Sequence, residues 1–301
     1  MRNILKQTAR TSLYVLCLMI VVSLAHAQET QQLNVVNVTG NITVIEGMSN
    51  TAILTGKDGI FMIDTQGPEL IDQLIAKIAE ISNQPIRFIA NTHYHFDHSG
   101  GNEKAADTGA VIIAHENVRK RMSTEQRMDM FNTTTPPSPI AALPVITFGK
   151  DVTFYINGEE AHVFHIGAGH TDGDAIVHFR NADVIHLGDL YFNGLYPYIG
   201  IEAGGSINSM IQAGNIILGM INDSTRIIPG HGPIAKKAEY AEYLEMLTGV
   251  RDAIRRQIDA GKSLKEVIAS KPLQAFDAKW GKGMFTSDRF AELVYMDLSG
   301  K

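Results

Sequence analysis

Residues 93–98 read His-Tyr-His-Phe-Asp-His, three imidazoles and a carboxylate in six positions. Three further donors stand later in glycine-flanked settings: His170 in GAGHTDGD, Asp189 in HLGDL and His231 in PGHG. Together they make five histidines and two aspartates. A zinc ion takes imidazole nitrogen and carboxylate oxygen and is four-coordinate in a closed site. Seven donors exceed what one ion uses. They suit two ions, provided one carboxylate bridges them and a hydroxide completes both shells. Two metals roughly 3.5–4 Å apart share a nucleophile and polarise the bond it attacks. His115, His162, His165, His178 and His186 alternate with strand residues, match no such motif, and read as structural.

Each donor follows an apolar run that has to place it. Residues 35–45 and 50–63, rich in Val, Ile and Thr, predict a β-meander, with an Asp-Gly hairpin turn in residues 57–60. Leu70, Ile71, Leu74, Ile75, Ile78 and Ile81 have helical spacing behind Pro68. Ile86–Ala90 is a short buried strand, and the histidine-rich loop hangs from its end. Residues 101–107 predict a helix, 110–114 a strand, and 116 to about 130 a helix. The TTTPPSP run at 133–139 predicts an exposed loop. A second meander follows at 152–155, 161–166, 175–179 and 184–187, with a turn at Asn157-Gly158. Ser206 caps a helix to about Met220, residues 226–229 form a strand, and two or three helices follow from Ile234. Strands then helices, twice over, predict two βα-rich halves packed sheet against sheet with helices outside.

HYHFDH resembles the HxHxDH signature of the metallo-β-lactamase superfamily, and His170, Asp189 and His231 fall in the order of its later motifs, a likeness covering residues 35–235. The resemblance implies an α/β fold: an αββα sandwich of two mixed β-sheets, helices on both outer faces, and a metal site at one edge. It implies two Zn2+ per chain as cofactors. His93, His95 and His170 would hold the first, Asp97, His98 and His231 the second, and Asp189 would bridge. It also implies attack by the bridging hydroxide on a carbonyl or phosphoryl centre, with one ion stabilising the oxyanion and the other the leaving group. Asp97 is the catalytic candidate, orienting that hydroxide.

Asp189 stands where the cysteine-containing β-lactamases have a cysteine. An aspartate there resembles glyoxalase II, lactonases and phosphoesterases instead. Those lactamases carry a lysine three residues later for the drug's carboxylate. Phe192 holds that position here, and no Arg or Lys occurs from 187 to 225. The expectation is an exported zinc-dependent hydrolase of small esters, thioesters, lactones or lactams, with weak β-lactam hydrolysis. Two alternatives stay open. One is an iron-dependent, sulfur-dioxygenase-like oxidoreductase of the same fold, against which the complete set Asp97, His98 and His231 speaks. The other is a non-catalytic periplasmic metal-binding protein, which would not need an open bridged pair.

Several neighbours have two readings. Asp172 and Asp174 either orient His170, since ligating imidazoles donate their other N–H to an acceptor, or cap a turn. Asp64 ends a strand near the motif loop as a further candidate partner. Tyr191, Phe192, Tyr196 and Tyr198 are a packed loop or an aromatic wall for an apolar substrate. Met122, Met128 and Met130 are core or the lining of a lid, and Trp280 is core.

The chain of 301 residues opens with Arg2, Lys6 and Arg10, an apolar run at 12–24, and Ala25-His26-Ala27. That is a secretory signal peptide of residues 1–27 rather than a span, which needs ~20 apolar residues. The rest, 28–301, reads as one metallo-β-lactamase-like domain whose part from about 234 is helical. The single cysteine, Cys17, leaves with the signal, so the mature protein has no disulfide although its location is periplasmic or secreted. Loss of the three cations takes the formal charge from −6 to −9. An acidic surface argues against nucleic acid and against anionic membrane after cleavage, leaving a small-molecule substrate as partner; the sequence leaves the oligomeric state open. Mass spectrometry of the protein recovered from a bacterial periplasm should give Gln28 as the first residue; a full-length, membrane-bound product would overturn the export reading.

Overall fold

The structure is a computed structural model that describes residues 32–300. The expected signal segment therefore lies outside the described residues. Among the described residues no helix is long and apolar enough to cross a membrane.

Strands β1 (Asn34–Thr39), β2 (Ile42–Glu46), β3 (Asn50–Leu54) and β4 (Ile60–Ile63) form the first antiparallel meander. Helix α1 (Ile71–Ile81) crosses over to β5 (Ile86–Ala90), which pairs parallel with β4. Short helices α2 (Phe96–Ser99) and α3 (Asn102–Ala106) lead to β6 (Val111–His115), and α4 (Glu116–Met122) follows. A hairpin of β7 (Gln126–Met128) and β8 (Thr133–Thr135) intervenes before β9 (Ile146–Phe148) pairs parallel with β6 and closes a seven-stranded mixed sheet. The second sheet runs β10 (Asp151–Ile156), β11 (Glu159–Phe164), β12 (Ile176–Phe179), β13 (Val184–His186) and β14 (Arg226–Ile228), antiparallel except for the parallel β13–β14 pair. Between β13 and β14 lies α5 (Ile207–Met220), and the chain ends in α6 (Lys237–Asp259), α7 (Leu264–Ala269), α8 (Asp277–Trp280) and α9 (Ser287–Ser299).

Side-chain alternation explains the layers. In β4, Phe61 and Ile63 face the other sheet, while Ile60 and Met62 face α1 with Leu74 and Ile78. In the second sheet Val177, Val184 and Ile228 point inward, and Ile176, Ile185 and Ile227 point out to α5, α6 and α9. The central strands of each sheet thus bury both faces, and helices must cover both outer surfaces. This is the expected αββα sandwich.

Three local expectations need correcting. The helix expected to run to Met130 stops at Met122, where the Ser123 N–H donates to the Arg119 carbonyl. Residues 126–128 instead pair antiparallel with Thr133–Thr135, β-branched residues that favour extended backbone. The 133–139 run is exposed as expected but begins as a strand. The C-terminal part has four helical segments rather than two or three. Other expectations hold: Ser206 Oγ accepts from Ser209 N at 3.0 Å and caps α5, and Trp280 is core.

Tyr240 on α6 is fully buried against Tyr191, and its hydroxyl has no hydrogen-bond partner. Removing an unpartnered buried hydroxyl relieves a desolvation cost of about 1 kcal/mol or more. Tyr240→Phe should keep or raise the thermal midpoint; a clear drop would show that the hydroxyl is bonded.

Candidate metal centre

The donors sit where strands stop. Beyond β5, Asn91 and Thr92 lead to His93 and His95, and the first turn of α2 presents Asp97 and His98. The β11–β12 connection supplies His170. Beyond β13, Gly188 turns the chain with φ +51° to present Asp189, and beyond β14 Gly230 precedes His231. Gly230 is required by space: a Cβ there would lie 2.0 Å from Asp189 Oδ1.

All seven motif residues converge into two groups. His93, His95, His170 and Asp189 form one, and Asp97, His98 and His231 the other. In the first, His95 Nδ1 is 3.0 Å from His93 Nε2 and 2.8 Å from His170 Nε2. In the second, His231 Nε2 lies 3.4 Å from His98 Nε2 and 3.2 Å from Asp97 Oδ2. Asp189 divides its carboxylate between them. Oδ2 faces His170 and His93 at 3.4 and 3.6 Å; Oδ1 faces His98 and His231 at 3.1 and 3.4 Å.

This donor set fits divalent cations. Imidazole nitrogens turned lone pair to lone pair at such distances repel unless a cation or proton stands between them. Asp189 Oδ1 is buried without a hydrogen bond despite its imidazole neighbours. An acceptor so placed is costly unless it meets positive charge.

Other groups fix the rings. His98 Nδ1 is 2.8 Å from Asp64 Oδ2, and Asp64 also accepts from Thr92 N and Thr92 Oγ1, both at 2.7 Å. Asp64 does so at φ +62°, a conformation unusual for a residue with a Cβ. His93 Nδ1 is 3.1 Å from Thr92 Oγ1, and His170 Nδ1 is 2.9 Å from the Tyr198 carbonyl. These contacts set which ring nitrogen faces inward. Neither aspartate of HTDGD touches the His170 ring. Asp174 caps its turn by accepting from Thr171 N and Oγ1, and Asp172 pairs with Arg121, two contacts of 2.7 Å. The Tyr198 carbonyl and the Thr92 hydroxyl have no signature in the sequence; only Asp64, at a strand end, had one.

Tyr191, Phe192, Tyr196 and Tyr198 are all buried in one core cluster, and two of them also face the donors. Phe192 stacks on His231 with centroids 4.9 Å apart, and Tyr198 lies 5.6 Å from His95. Met122 is buried, while Met128 and Met130 are half-buried. The remaining histidines hold structure: His186 bonds the Asn50 carbonyl at 3.0 Å, and His115 stacks on His165.

A sequence model of the metallo-β-lactamase superfamily matches residues 44–240, and with the sandwich and its edge cluster this defines the class: the chain belongs to the metallo-β-lactamase superfamily, an enzyme of the metallohydrolase fold. It is 23% identical over 258 residues to the 2,4-dinitroanisole O-demethylase subunit alpha of Nocardioides sp., covering 83% of this chain and 74% of that protein. It is 26% identical to metallo-β-lactamase IND-1 of Chryseobacterium indologenes over 67% of this chain and 79% of that one. A hydroxyacylglutathione hydrolase of Pelagibacter ubique matches at 27% over 40% of this chain and 42% of its own length. Among solved structures, a metallo-β-lactamase from Pontibacter korlensis superposes with TM-score 0.59 at 22% identity, covering 72% of this chain and 99% of that one. The sec-alkylsulfatase Pisa1 from Pseudomonas sp. superposes with TM-score 0.67 at 16% identity, covering 88% and 50%. At those identities the superpositions speak for the fold.

The two groups differ in charge before any metal binds. Burial, reinforced by His170, lowers His95 to about 3, and burial with His98 nearby lowers His93 well below the usual imidazole value. Burial would also lower His98 and His231, but Asp189 and Asp97 outweigh it, with Asp64 adding to His98. His98 is held well above the usual value and His231 is raised to about 9. Asp97 and Asp189 stay ionised because these imidazoles overcome the burial that would raise them. His231 therefore stabilises the metal-free fold fully below pH ~6.5, and that contribution is lost as pH rises through about 9, with His98 acting in the same direction. Metal entering the second group must displace their protons. Calorimetry in buffers of different ionisation enthalpy should show proton release on loading that group at pH 7, and affinity rising towards pH 9. The first group should load with little pH dependence from pH 6 to 8. Loading of the second group without proton release would contradict this balance.

Proposed function

We propose that this chain is an exported dinuclear zinc hydrolase of small, uncharged esters, thioesters, lactones or lactams, poor on β-lactam drugs. The observation that carries this reading is the division of the Asp189 carboxylate, one oxygen to each donor group. When bound, a pair of zinc ions supplies a nucleophile from water at neutral pH and polarises the bond attacked. The chain's residues do the rest. His93, His95 and His170 would hold one ion and Asp97, His98 and His231 the other, with Asp189 shared between the two groups. Asp97, partly exposed beside His98 and His231, accepts a hydrogen bond that orients the attacking water. Phe192 and Tyr198 wall the site with aromatic surface and offer no cation to a carboxylate.

The hydroxyacylglutathione hydrolase and β-lactamase likenesses support hydrolysis, and the O-demethylase likeness adds activated aryl ethers to the substrates worth trying. Export rests on the basic start and Ala25-His26-Ala27.

Asp189→Asn keeps the size of the side chain and removes the charge between two dications. It should lower the zinc content from about two per chain and cut kcat at least ~100-fold, the scale of a lost electrostatic contact in the transition state. Zinc content and turnover would be measured on a panel of thioester, lactone, aryl ester, aryl ether, phosphodiester and β-lactam. Two zincs and full activity in the Asn form, or a single iron in the wild type, would sink the bridged dinuclear reading.

A further inference from the structure

Beside His95 lies a cavity of about 250 Å3. Tyr94, Phe96, Met122, Met128, Pro136 and Pro139 give it apolar walls. Its outer wall is the β7–β8 hairpin with the proline run that follows, so much of that wall has fixed φ. A dry cavity of roughly 150 Å3 takes a benzene ring; this one has room for a substituted ring.

Three polar features decide what fits. Arg121 is a cation in the wall, but Asp172 takes its Nε and Nη2 at 2.7 Å each and Gln126 its Nη1 at 3.2 Å. Its charge is matched and its fork is occupied. Glu103 lies exposed at the rim and repels anions. His95 is also a wall, 6% exposed. Its Nδ1 faces His93 and His170 and its Nε2 is buried, so it offers the cavity no accessible nitrogen.

We propose that this cavity is the subsite for an uncharged aromatic group of the substrate, and that Asp172 sets the preference for neutral ligands by silencing Arg121. This rests on the hydrolase reading and narrows its substrate class. Carboxylate-bearing substrates are disfavoured here because the one cation in the wall is already paired.

The test uses the zinc-loaded mature protein and probes it cannot hydrolyse, so a failed substrate panel and a failed subsite are told apart. Titration calorimetry would compare acetophenone with 4-acetylbenzoate, which adds a carboxylate. Acetophenone should bind at least tenfold more tightly than 4-acetylbenzoate. Asp172→Asn frees the guanidinium and should shrink the advantage over 4-acetylbenzoate at least tenfold. Thr135→Trp, at an exposed wall position that puts folding at little risk, should weaken acetophenone at least tenfold while two zincs remain bound. Acetophenone should also compete with any panel substrate that is turned over. The proposal is overturned if acetophenone does not bind, if the carboxylate binds as well, if a folded Asp172→Asn protein keeps the wild-type ratio, if Thr135→Trp has no effect, or if bound acetophenone fails to compete.

Discussion

Two carboxylates and five imidazoles packed at one sandwich edge need positive charge among them. Asp64, Asp97 and Asp189 are all at or near the buried edge, and none has a lysine or arginine ion-pair partner there. Without metal, protons on His98 and His231 supply the compensation; with metal, the ions do. Much else about the site follows from this requirement. The strand ends must stop in register so that donors from β5, β13 and β14 and from the β11–β12 connection meet. Gly188 and Gly230 must be free of side chains, and Asp64 must hold an unfavourable φ to reach both Thr92 and His98. Strain kept at such a residue is stable only where several hydrogen bonds over-determine it.

Much of this was legible in the sequence. The meanders were, because period-two alternation reports a sheet face, and α1 and α5 were, because their apolar spacing and the Ser206 cap are local signals. The seven donors were legible because ligand geometry forces short spacings beside glycine. What escaped was what tertiary contact decides. The three-residue strands β7, β8 and β9 are too short for any period. Residues 123–130 carry no proline or glycine to stop a helix, yet the partner strand Thr133–Thr135 wins residues 126–128. The Tyr198 carbonyl that orients His170 is a backbone atom, and backbone acceptors leave no mark in composition.

Asp189 separates chemistry from recognition. Its carboxylate reaches both donor groups with different oxygens, which one thiolate sulfur could do only by sharing a single atom. Position 192 departs from the lactamase pattern independently: Phe192 stacks on His231 and contributes shape rather than charge. The two departures lie three residues apart on one turn after β13, so a single segment sets both the ligand set and the character of the adjoining wall.

The same division runs through the molecule. The ligands stand at the ends of strands buried on both faces, where rigidity keeps donors within tenths of an ångström of a working arrangement. The cavity beside His95 is closed by the β7–β8 hairpin, which is tied to the C-terminal part by Phe131 packed against Tyr198 and Phe285, and by Arg289 donating to the Met130 carbonyl. The sequence signals for the hairpin are weak because its position depends on these distant partners. An enzyme arranged so can change what it accepts by altering the hairpin and leave the metal edge intact, since loops set on a rigid scaffold tolerate change that the scaffold does not. Relatives whose names include a β-lactamase, a hydroxyacylglutathione hydrolase and an O-demethylase, each below 30% identity, are what such an arrangement would produce.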